Sequence, residues 1–406
     1  MNISVAIDKL NNLSQSLSSS SCVVKFYNGQ AVVKTSEIAK STIPYGKVAV
    51  LYFKSQYTKL GKDFATMLKG NGNSVTHVVL PDVFDDTVEN FSHLFNLAED
   101  IRMVVTTDYR LYNVAKYFAS IRGIQCVLVV DNLSCYGILN NNIFLSNGGF
   151  LERVKLPLDL HVVIDYNAIL DNCENIADTY AFIVSHALAL TDYRIFLTLK
   201  SIKPNKTAFS VAIDSITDDY ALLKIDKEKR VVVLLNDLMS LELANLNTEG
   251  NIYQCFSGGI ASYLLNGDLT DKGKNRLLCA IPIAKLYQLY LSGDYDNILN
   301  YPDYLECVDF ICENINVNRQ EAIDIFNQQT NLINSSSKTL KKLKQKISND
   351  VLSFVDCSKN MINTFVALGG DEQIDKKLRD RAIKHSGNLT LNGMSLLRES
   401  GISQYL

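Results

Sequence analysis

The apolar and polar residues of the first part of the chain follow two periods in turn, that of a strand and that of a helix. The clearest block runs from residue 102 to residue 130. A short run rich in valine at 103–105 and a second run at 125–130 enclose apolar residues at helical spacing, and Gly123 stands where that helix ends. Two buried strands joined by an amphipathic helix predict a parallel pair with a right-handed crossover.

The same alternation extends to both sides of this block. Strands are predicted at 23–29, 47–53, 75–81 and 158–169, with helices at 60–68 and 82–100, and this order is typical of an open α/β sheet. From residue 173 onward the periodicity is mostly helical, including the segments 176–199, 206–223, 230–246, 252–265 and 275–291. We therefore predict an α/β domain of nucleotide-binding type at 1–170 and an α-helical domain at 171–406.

Composition and charge narrow the class of protein. A chain of 406 residues has room for two cores, and 47% apolar with 20% charged residues is ordinary for a soluble protein. A formal net charge of −3 favours neither nucleic acid nor an anionic membrane as a partner. The nine scattered cysteines form no CxxC pair, and neither a signal peptide nor a run of membrane-spanning length is evident. We expect reduced thiols in a cytoplasmic protein.

The turn between the strand at 103–105 and the following helix is where such a fold usually receives a phosphate, because free helix amides point there. The residues after the strand are Thr106, Thr107, Asp108, Tyr109 and Arg110, without glycine. A carboxylate at position 108 would cap the helix, occupy its amides and repel a pyrophosphate. The candidate cofactor-binding residues are the first three of these and two that follow the next strand, Asp131 and Ser134.

Several segments, taken in order, resemble landmarks of the superfamily that contains dehydroquinate synthase, glycerol dehydrogenase, iron-containing alcohol dehydrogenase and sn-glycerol-1-phosphate dehydrogenase. They are VAKYFASIRGIQCVLV with Lys116, VVIDYNAI with Asp165, ALALTDYRI with Asp192 and Tyr193, CFSGGIASYLLNG at 255–267, and LTLNGMSLLRESGI at 389–402. The resemblance implies a Rossmann-like parallel sheet followed by an all-α domain, the dehydroquinate synthase-like fold. It also implies NAD or NADP, zinc or iron, and an even-numbered oligomer.

The chain departs from that superfamily at the cofactor site. Where the superfamily has phosphate-binding glycines, this chain has Thr107, Asp108 and Tyr109, and Asn113 replaces the acidic residue that follows. Where the superfamily has a Pro-Thr loop near the nicotinamide, the best match is Val130-Asp131. Binding of NAD or NADP is therefore implied by the resemblance but not by the residues.

The metal site departs further. The superfamily holds its metal with an aspartate and two or three histidines of the helical domain, and this chain has no histidine between His186 and His385. The resemblance places Phe182 at the aspartate position, unless the helix slips by one turn to use Asp178, and Lys272 near one histidine position. We therefore do not expect zinc or iron.

Two hypotheses follow. In the first, the chain is a divergent glycerol-1-phosphate dehydrogenase-like protein that has lost metal-dependent NAD(P) oxidoreductase activity and serves as a partner, regulatory or binding subunit in a homo- or hetero-oligomer with a related subunit. In the second, it is an active NAD(P)-dependent polyol or glycerol-phosphate dehydrogenase, or a dehydroquinate synthase-like cyclase, with an altered interdomain site. Candidate catalytic groups would then be Lys116, Asp178, His186 and Lys272. The competing structural interpretation makes Asp108 a helix cap and both lysines solvated.

Overall fold

The chain forms two compact units. The computed structural model describes residues 2–17, 22–82, 84, 87–147, 150–156, 158–216, 219–248, 252–266, 272–293, 304–315 and 317–406. Unit 1 comprises Met1–Asn175 with Asp226–Leu246, and unit 2 comprises Ile176–Ile225 with Asn247–Leu406.

The strands and helices are numbered in chain order. The strands are β1 Cys22–Asn28, β2 Lys47–Phe53, β3 Ser74–Leu80, β4 Ile101–Thr106, β5 Gln125–Val130, β6 Asn142–Asn147, β7 Phe150–Lys155 and β8 Leu158–Ile164. The helices are α1 Ile3–Leu17, α2 Ala31–Thr42, α3 Lys54–Gly70, α4 Val88–Ser92, α5 Tyr112–Arg122, α6 Tyr166–Asp171, α7 Ile176–Leu199, α8 Lys206–Asp214, α9 Asp219–Lys224, α10 Lys227–Leu246, α11 Ile252–Cys255, α12 Ser257–Asn266, α13 Lys272–Ser292, α14 Tyr304–Asn314, α15 Arg319–Ser335, α16 Ser337–Ala367, α17 Lys376–Leu389 and α18 Gly393–Glu399. Short 3₁₀ turns occur at His93–Asn96, Tyr109–Leu111, Cys173–Asn175 and Ile402–Tyr405.

Unit 1 is built on a six-stranded parallel sheet in the order β1-β8-β5-β4-β2-β3. The predicted unit of strand, helix and strand is confirmed as β4, α5 and β5, with Met103 opposite Gln125 in the parallel pair. Gly123 ends α5 at φ 62°, in the left-handed region that glycine adopts without a steric penalty. Because all six strands are parallel, the residues that follow β8, β5, β4 and β3 lie together at the carboxyl end of the sheet.

The outer side of β1 is closed by side chains of α1. Asn11 donates from Nδ2 to the carbonyl oxygen of Phe26 at 2.9 Å and accepts from the Phe26 amide at 2.8 Å. Ser14 donates to the carbonyl oxygen of Val24 at 2.7 Å. An amide side chain thus pairs with the strand as a neighbouring strand would.

Unit 2 is helical, with α7 at its centre and α13 and α16 packed against it. The segment Cys173–Leu199 is long and apolar enough to cross a membrane, so the prediction that no run has that length is wrong. However, 78% of its most apolar window is buried, as expected for the core helix of a soluble protein. Cytoplasmic localisation stays a prediction.

The division of the chain differs from the predicted 1–170 and 171–406 at α10. This helix lies within the predicted helical domain, yet it belongs to unit 1, where it packs against α1. Its apolar stripe, which includes Val231, Leu234 and Leu238, is fully buried there. Periodicity identifies the helix but does not indicate which unit covers its apolar face.

Candidate functional site

The turn between β4 and α5 is closed by its own side chains. Asp108 is 6% exposed, and its Oδ1 accepts from the backbone amide and Nε of Arg110 at 2.9 and 3.0 Å. Its Oδ2 accepts from Arg110 Nη2 at 2.9 Å and from Gln56 Nε2 at 2.8 Å. The Arg110 guanidinium lies 4.1 Å from the centroid of the Phe53 ring. Asp108 is the N-cap of the 3₁₀ turn Tyr109–Leu111, where its carboxylate accepts from the Arg110 amide. The predicted cap is therefore found on the turn that leads into α5 and not on α5 itself, whose N-cap Leu111 makes no side-chain hydrogen bond.

Two of the neighbouring candidates also bond locally, and one does not. Thr106 Oγ1 accepts from the Asp108 amide at 3.3 Å. Thr107 is 2% exposed, and its hydroxyl has no hydrogen-bond partner among the described residues. Ser134 accepts from Asn175 Nδ2 at 2.5 Å. The cofactor candidates thus lie at the carboxyl ends of β4 and β5, and Thr106, Asp108 and Ser134 already form local hydrogen bonds there.

Asp131 differs from these because it titrates near neutral pH. It is half-buried, and burial raises its pKa to about 6, with the charges of Asp108 and Asp165 acting in the same direction. A hydrogen bond from Asn132 Nδ2 at 2.8 Å opposes that rise in pKa. A carboxyl group with such a pKa can exchange a proton at physiological pH.

Lys116 holds the loop that follows β5. The side chain is fully buried, so the prediction that it is solvated is wrong. Its Nζ donates to the carbonyl oxygens of Gly137, Ile138 and Asn140 at 3.0, 3.2 and 2.9 Å. An ammonium bonded to three carbonyls has no lone pair with which to act as a base. The arrangement indicates that the charged Lys116 side chain has a structural role in holding this loop.

Sequence analysis missed Glu242, which holds the same loop from α10. This buried carboxylate accepts from the amide of Gly137 at 2.7 Å and from that of Leu139 at 3.3 Å. The loop therefore lies between a buried cation bonded to its carbonyls and a buried anion bonded to its amides. The available signal was a single acid in the helical segment 238–244, whose other residues are apolar except Ser240, because a buried acid needs partners.

In unit 2, the position that the resemblance assigns to a metal-binding aspartate lies in an aromatic cluster. The guanidinium carbon of Arg276, on α13, is 4.4 Å from the ring centroid of Phe182. It is 5.4 Å from the ring of Tyr253 and 5.9 Å from that of Phe256. A cation over three ring faces is attracted by their quadrupoles. We call Phe182, His186, Tyr253, Phe256 and Arg276 the arginine cluster.

His186 is the one imidazole of the arginine cluster. Its Nδ1 lies 2.7 Å from the carbonyl oxygen of Phe182, and because a carbonyl only accepts, this nitrogen carries the proton. Nε2 is buried and has no hydrogen-bond partner among the described residues. Burial, and then the charge of Arg276, lower the pKa of His186 to about 3. The imidazole is therefore neutral at pH 7.

The remaining candidates of unit 2 are close to the start of α13. Asp178 Oδ1 accepts from the amide of Lys274 at 2.7 Å. A side chain at Gly273 would overlap the backbone carbonyl of Asp178, so only glycine allows this approach of α13 to α7. The side chain of Lys272 lies outside the described residues. Asp178 serves as a link between two helices.

Asp192 is fully buried and links three segments of unit 2. It accepts from the amide and hydroxyl of Ser257 at 2.7 and 2.5 Å and from the hydroxyl of Tyr287. Burial raises the pKa of Asp192 to about 6, and these hydrogen bonds oppose the rise. A side chain at Gly393 would overlap Asp192 and Tyr287, which explains the glycine.

The described residues around His186 do not fit a divalent metal. Among the residues that the structure describes, no three His, Cys, Asp or Glu side chains are placed to hold one. His186 offers a lone pair at Nε2, but Phe182 has no donor, and Asp178 already bonds to Lys274. The charge of Arg276 that helps to lower the pKa of His186 would repel a metal cation in the same way.

Neither a protein-family model nor a curated protein matches the chain. Solved structures do match. An archaeal halo-thermophilic alcohol dehydrogenase from a Red Sea brine pool aligns over 95% of this chain and 97% of its own, with a TM-score of 0.57 at 13% identity. Sulfoacetaldehyde reductase from Bifidobacterium kashiwanohense, in complex with NAD+, aligns over 96% and 97%, with a TM-score of 0.55 at 12% identity.

Glycerol dehydrogenase from Schizosaccharomyces pombe is a third similar structure. It aligns over 94% of this chain and 89% of its own, with a TM-score of 0.52 at 13% identity. Identity this low speaks to the fold and not to the activity. The order of strands and helices, the glycines that permit close approach and these three likenesses agree with the sequence prediction, and the chain has the dehydroquinate synthase-like fold of glycerol dehydrogenases and iron-containing alcohol dehydrogenases.

Proposed function

We propose that this chain is a divergent glycerol-1-phosphate dehydrogenase-like protein without metal-dependent NAD(P) oxidoreductase activity, and that it acts as a partner, regulatory or binding subunit. The arginine cluster carries the proposal. A dehydrogenase metal polarises an alcohol oxygen through converging imidazole and carboxylate donors. At the position that the resemblance assigns to the metal-binding aspartate this chain has Phe182, and the guanidinium of Arg276 lies 4.4 Å from its ring.

The turn after β4 supports the same proposal independently. A dinucleotide pyrophosphate binds free amides at the start of a helix, where the dipole favours negative charge. Asp108 already places a carboxylate there, and Arg110 and Gln56 hold it with hydrogen bonds of 2.8 to 3.0 Å. A phosphate would have to displace that carboxylate or accept its repulsion.

A second candidate function is an altered enzyme that still binds NAD or NADP. Asp131 favours it, because a half-buried carboxyl group with a pKa of about 6 at a strand end is typical of an acid or base residue. The similar structure of sulfoacetaldehyde reductase holds NAD+. In this candidate, Asp131 would exchange the proton and the loop held by Lys116 would border the site.

Two measurements on purified full-length protein test the proposal. The first is metal content by plasma mass spectrometry, with less than one zinc or iron per ten chains expected, on the order of adventitious binding. The second is thermal unfolding with NAD and NADP, where a bound nucleotide would add about 2.7 kcal/mol at one hundred times its dissociation constant. Stoichiometric metal or NAD(P)-dependent turnover would overturn the proposal.

The variant Asp131→Asn separates the two candidate functions, because the amide keeps the volume and removes the titrating group. Under the main proposal, wild type and variant are alike in showing no stabilisation by either nucleotide. Stabilisation of the wild type, together with turnover that Asp131→Asn abolishes, would establish the altered enzyme instead. The matched control is Asp159→Asn, an exposed aspartate of β8.

A further inference from the structure

A cavity of about 210 Å³ lies at the amino end of β4, between the segment before that strand and the carboxyl end of α5. Its apolar wall is formed by Ala98, Ile101, Phe118 and Ile124. The cofactor candidates lie at the opposite, carboxyl ends of β4 and β5, so the two places are distinct. Typical ligand pockets measure roughly 300 to 1,000 Å³. This smaller cavity has room for about seven water molecules, and therefore for a small metabolite rather than a nucleotide.

Three charged side chains line the same cavity, two arginines and one glutamate. Arg102 is the second residue of β4, Arg122 is the last residue of α5, and Glu99 precedes the strand. Asp100, which lies beside Glu99 in the sequence, is already paired with Lys47 at 2.8 Å. The cavity therefore presents two positive charges and one negative charge to a ligand.

Both guanidinium groups are oriented by the backbone of the segment before β4. Arg122 Nη2 donates to the carbonyl oxygen of Leu97 at 3.2 Å, and its guanidinium carbon lies 5.6 Å from the centroid of the Phe118 ring. Arg102 Nη1 donates to the carbonyl oxygen of Glu99 at 3.4 Å. Because a guanidinium has five donors, Arg102 can hold this carbonyl and a carboxylate at the same time. Orientation before binding reduces the entropy that is lost when a ligand binds.

We propose that this cavity binds a free α-amino acid with an apolar side chain, of the size of valine or leucine. A simple anion would meet the carboxylate of Glu99, and a simple cation would meet two guanidinium groups. A zwitterion complements all three charges, because its carboxylate faces Arg102 and Arg122 while its ammonium group faces Glu99. Its side chain contacts the apolar wall, where burial stabilises it. This site goes beyond the proposed function and is independent of whether the chain binds a nucleotide.

The first test follows thermal unfolding of the full-length protein in L-leucine, at one ionic strength and at concentrations up to about ten times a millimolar dissociation constant. L-Leucine should stabilise the wild type. Two analogues remove one charge each, since isocaproate lacks the ammonium group and isoamylamine lacks the carboxylate. Each analogue should bind about tenfold more weakly than leucine, because one set of charge-assisted hydrogen bonds is then lost.

The second test removes one of the two guanidinium groups. Arg102→Gln should weaken leucine binding about tenfold, because the ligand carboxylate loses a charged donor. Arg102 is exposed, so the ligand-free variant should unfold at nearly the same temperature as the wild type. The matched control is Arg319→Gln, which replaces an exposed arginine of α15 in unit 2 and should leave leucine binding unchanged.

The third test separates a zwitterion site from general attraction of anions. Glu99→Gln should weaken leucine binding about tenfold, yet it should bind isocaproate at least as tightly as the wild type does, because a repulsive charge has been removed. Ala98→Leu fills the cavity without changing any charge and should abolish binding, so it remains informative if a charge variant folds poorly. Absence of stabilisation of the wild type by leucine and valine, equal binding of isocaproate and leucine, or undiminished binding by Arg102→Gln would overturn the proposal.

Discussion

The turn after β4 in unit 1 and the arginine cluster in unit 2 lie where the resemblance implies a pyrophosphate and a metal. In both places the chain supplies a charge of the same sign as the implied ligand. Asp108 puts a carboxylate where a phosphate would bind, and Arg276 puts a guanidinium among the rings around Phe182. Under the proposed function, each ligand site would be closed by an internal substitute for the ligand, and the surrounding fold would be retained.

The two substitutes are held by different forces. Asp108 is held by directed hydrogen bonds to Arg110 and Gln56, and its guanidinium partner is 39% exposed in its side chain. Arg276 lies against aromatic rings in a setting that desolvates His186 completely. Water and salt weaken the first arrangement more than the second. Replacing Asp108 and replacing Arg276 should therefore lower the free energy of unfolding by different amounts.

The largest effect is expected from Arg276→Ala. The change removes a cation from three ring faces and leaves a cavity, which should lower the free energy of unfolding by about 3 kcal/mol. Urea denaturation followed by circular dichroism measures it. Arg276→Lys keeps the charge but loses the planar contact, and should recover about half of the loss. Equal stability of Arg276→Ala and wild type would show that the cluster is incidental.

Asp108→Ala should cost less, about 2 kcal/mol, because it removes the cap of the 3₁₀ turn before α5 and the partner of Arg110 and Gln56. The same denaturation experiment applies. Arg110→Gln, which keeps the cap and loses a partly exposed ion pair and the contact with the Phe53 ring, should cost about 1 kcal/mol. If the two variants were equally destabilised, the exposed ion pair rather than the cap would be the important contact.

The third effect is a slope with pH, which within one pH unit is smaller than the loss expected from Arg276→Ala or Asp108→Ala. The folded pKa of His186, about 3, lies below the unfolded value near 6.5, so its stabilising contribution is present above pH 6.5 and is lost as pH falls toward 3. Between these values the loss should be roughly 1 kcal/mol per pH unit. Asp192, with a folded pKa of about 6, acts in the opposite direction, losing stability as pH rises from 4 to 6.

The variant His186→Phe isolates the histidine contribution to this slope, since Asp192 is unchanged in it. Thermal or urea unfolding from pH 7 to pH 4 should show a flatter acid limb for the variant than for the wild type. Parallel curves would mean that His186 does not resist protonation in the folded chain.

Local pattern predicted the elements of the sheet and one cap. The apolar runs of β4 and β5, the helical spacing of α5 and the carboxylate of Asp108 all act within a few residues of one another, so one sequence contains enough information to place them. The positions of Phe182 and of the missing glycines came from the resemblance. Features of this kind can be predicted because they depend on residues close together in the sequence or on motifs in a fixed order.

Pairs of sequence-distant charges could not be predicted in the same way. Lys116 reads as a solvated lysine on a helix because its three carbonyl partners belong to a loop about twenty residues away. Glu242 bonds to Gly137, a residue 105 positions earlier. The aromatic contacts of Arg276 form only in the folded chain, where α7 and α11 place the rings of Phe182 and Tyr253 beside it. Such partners are brought together by tertiary packing, about which the hydrophobic periodicity of the sequence gives no information.

The assignment of α10 to unit 1 affects the order of events on the ribosome. When residues 1–175 have been synthesised, all six strands of the parallel sheet exist, but the helix that covers α1 and the carboxylate that holds the loop at 137–139 have not yet been made. About fifty residues that belong to unit 2 must emerge first. The nascent sheet therefore exposes apolar surface until α10 has been synthesised, and such surface is prone to aggregation during that interval.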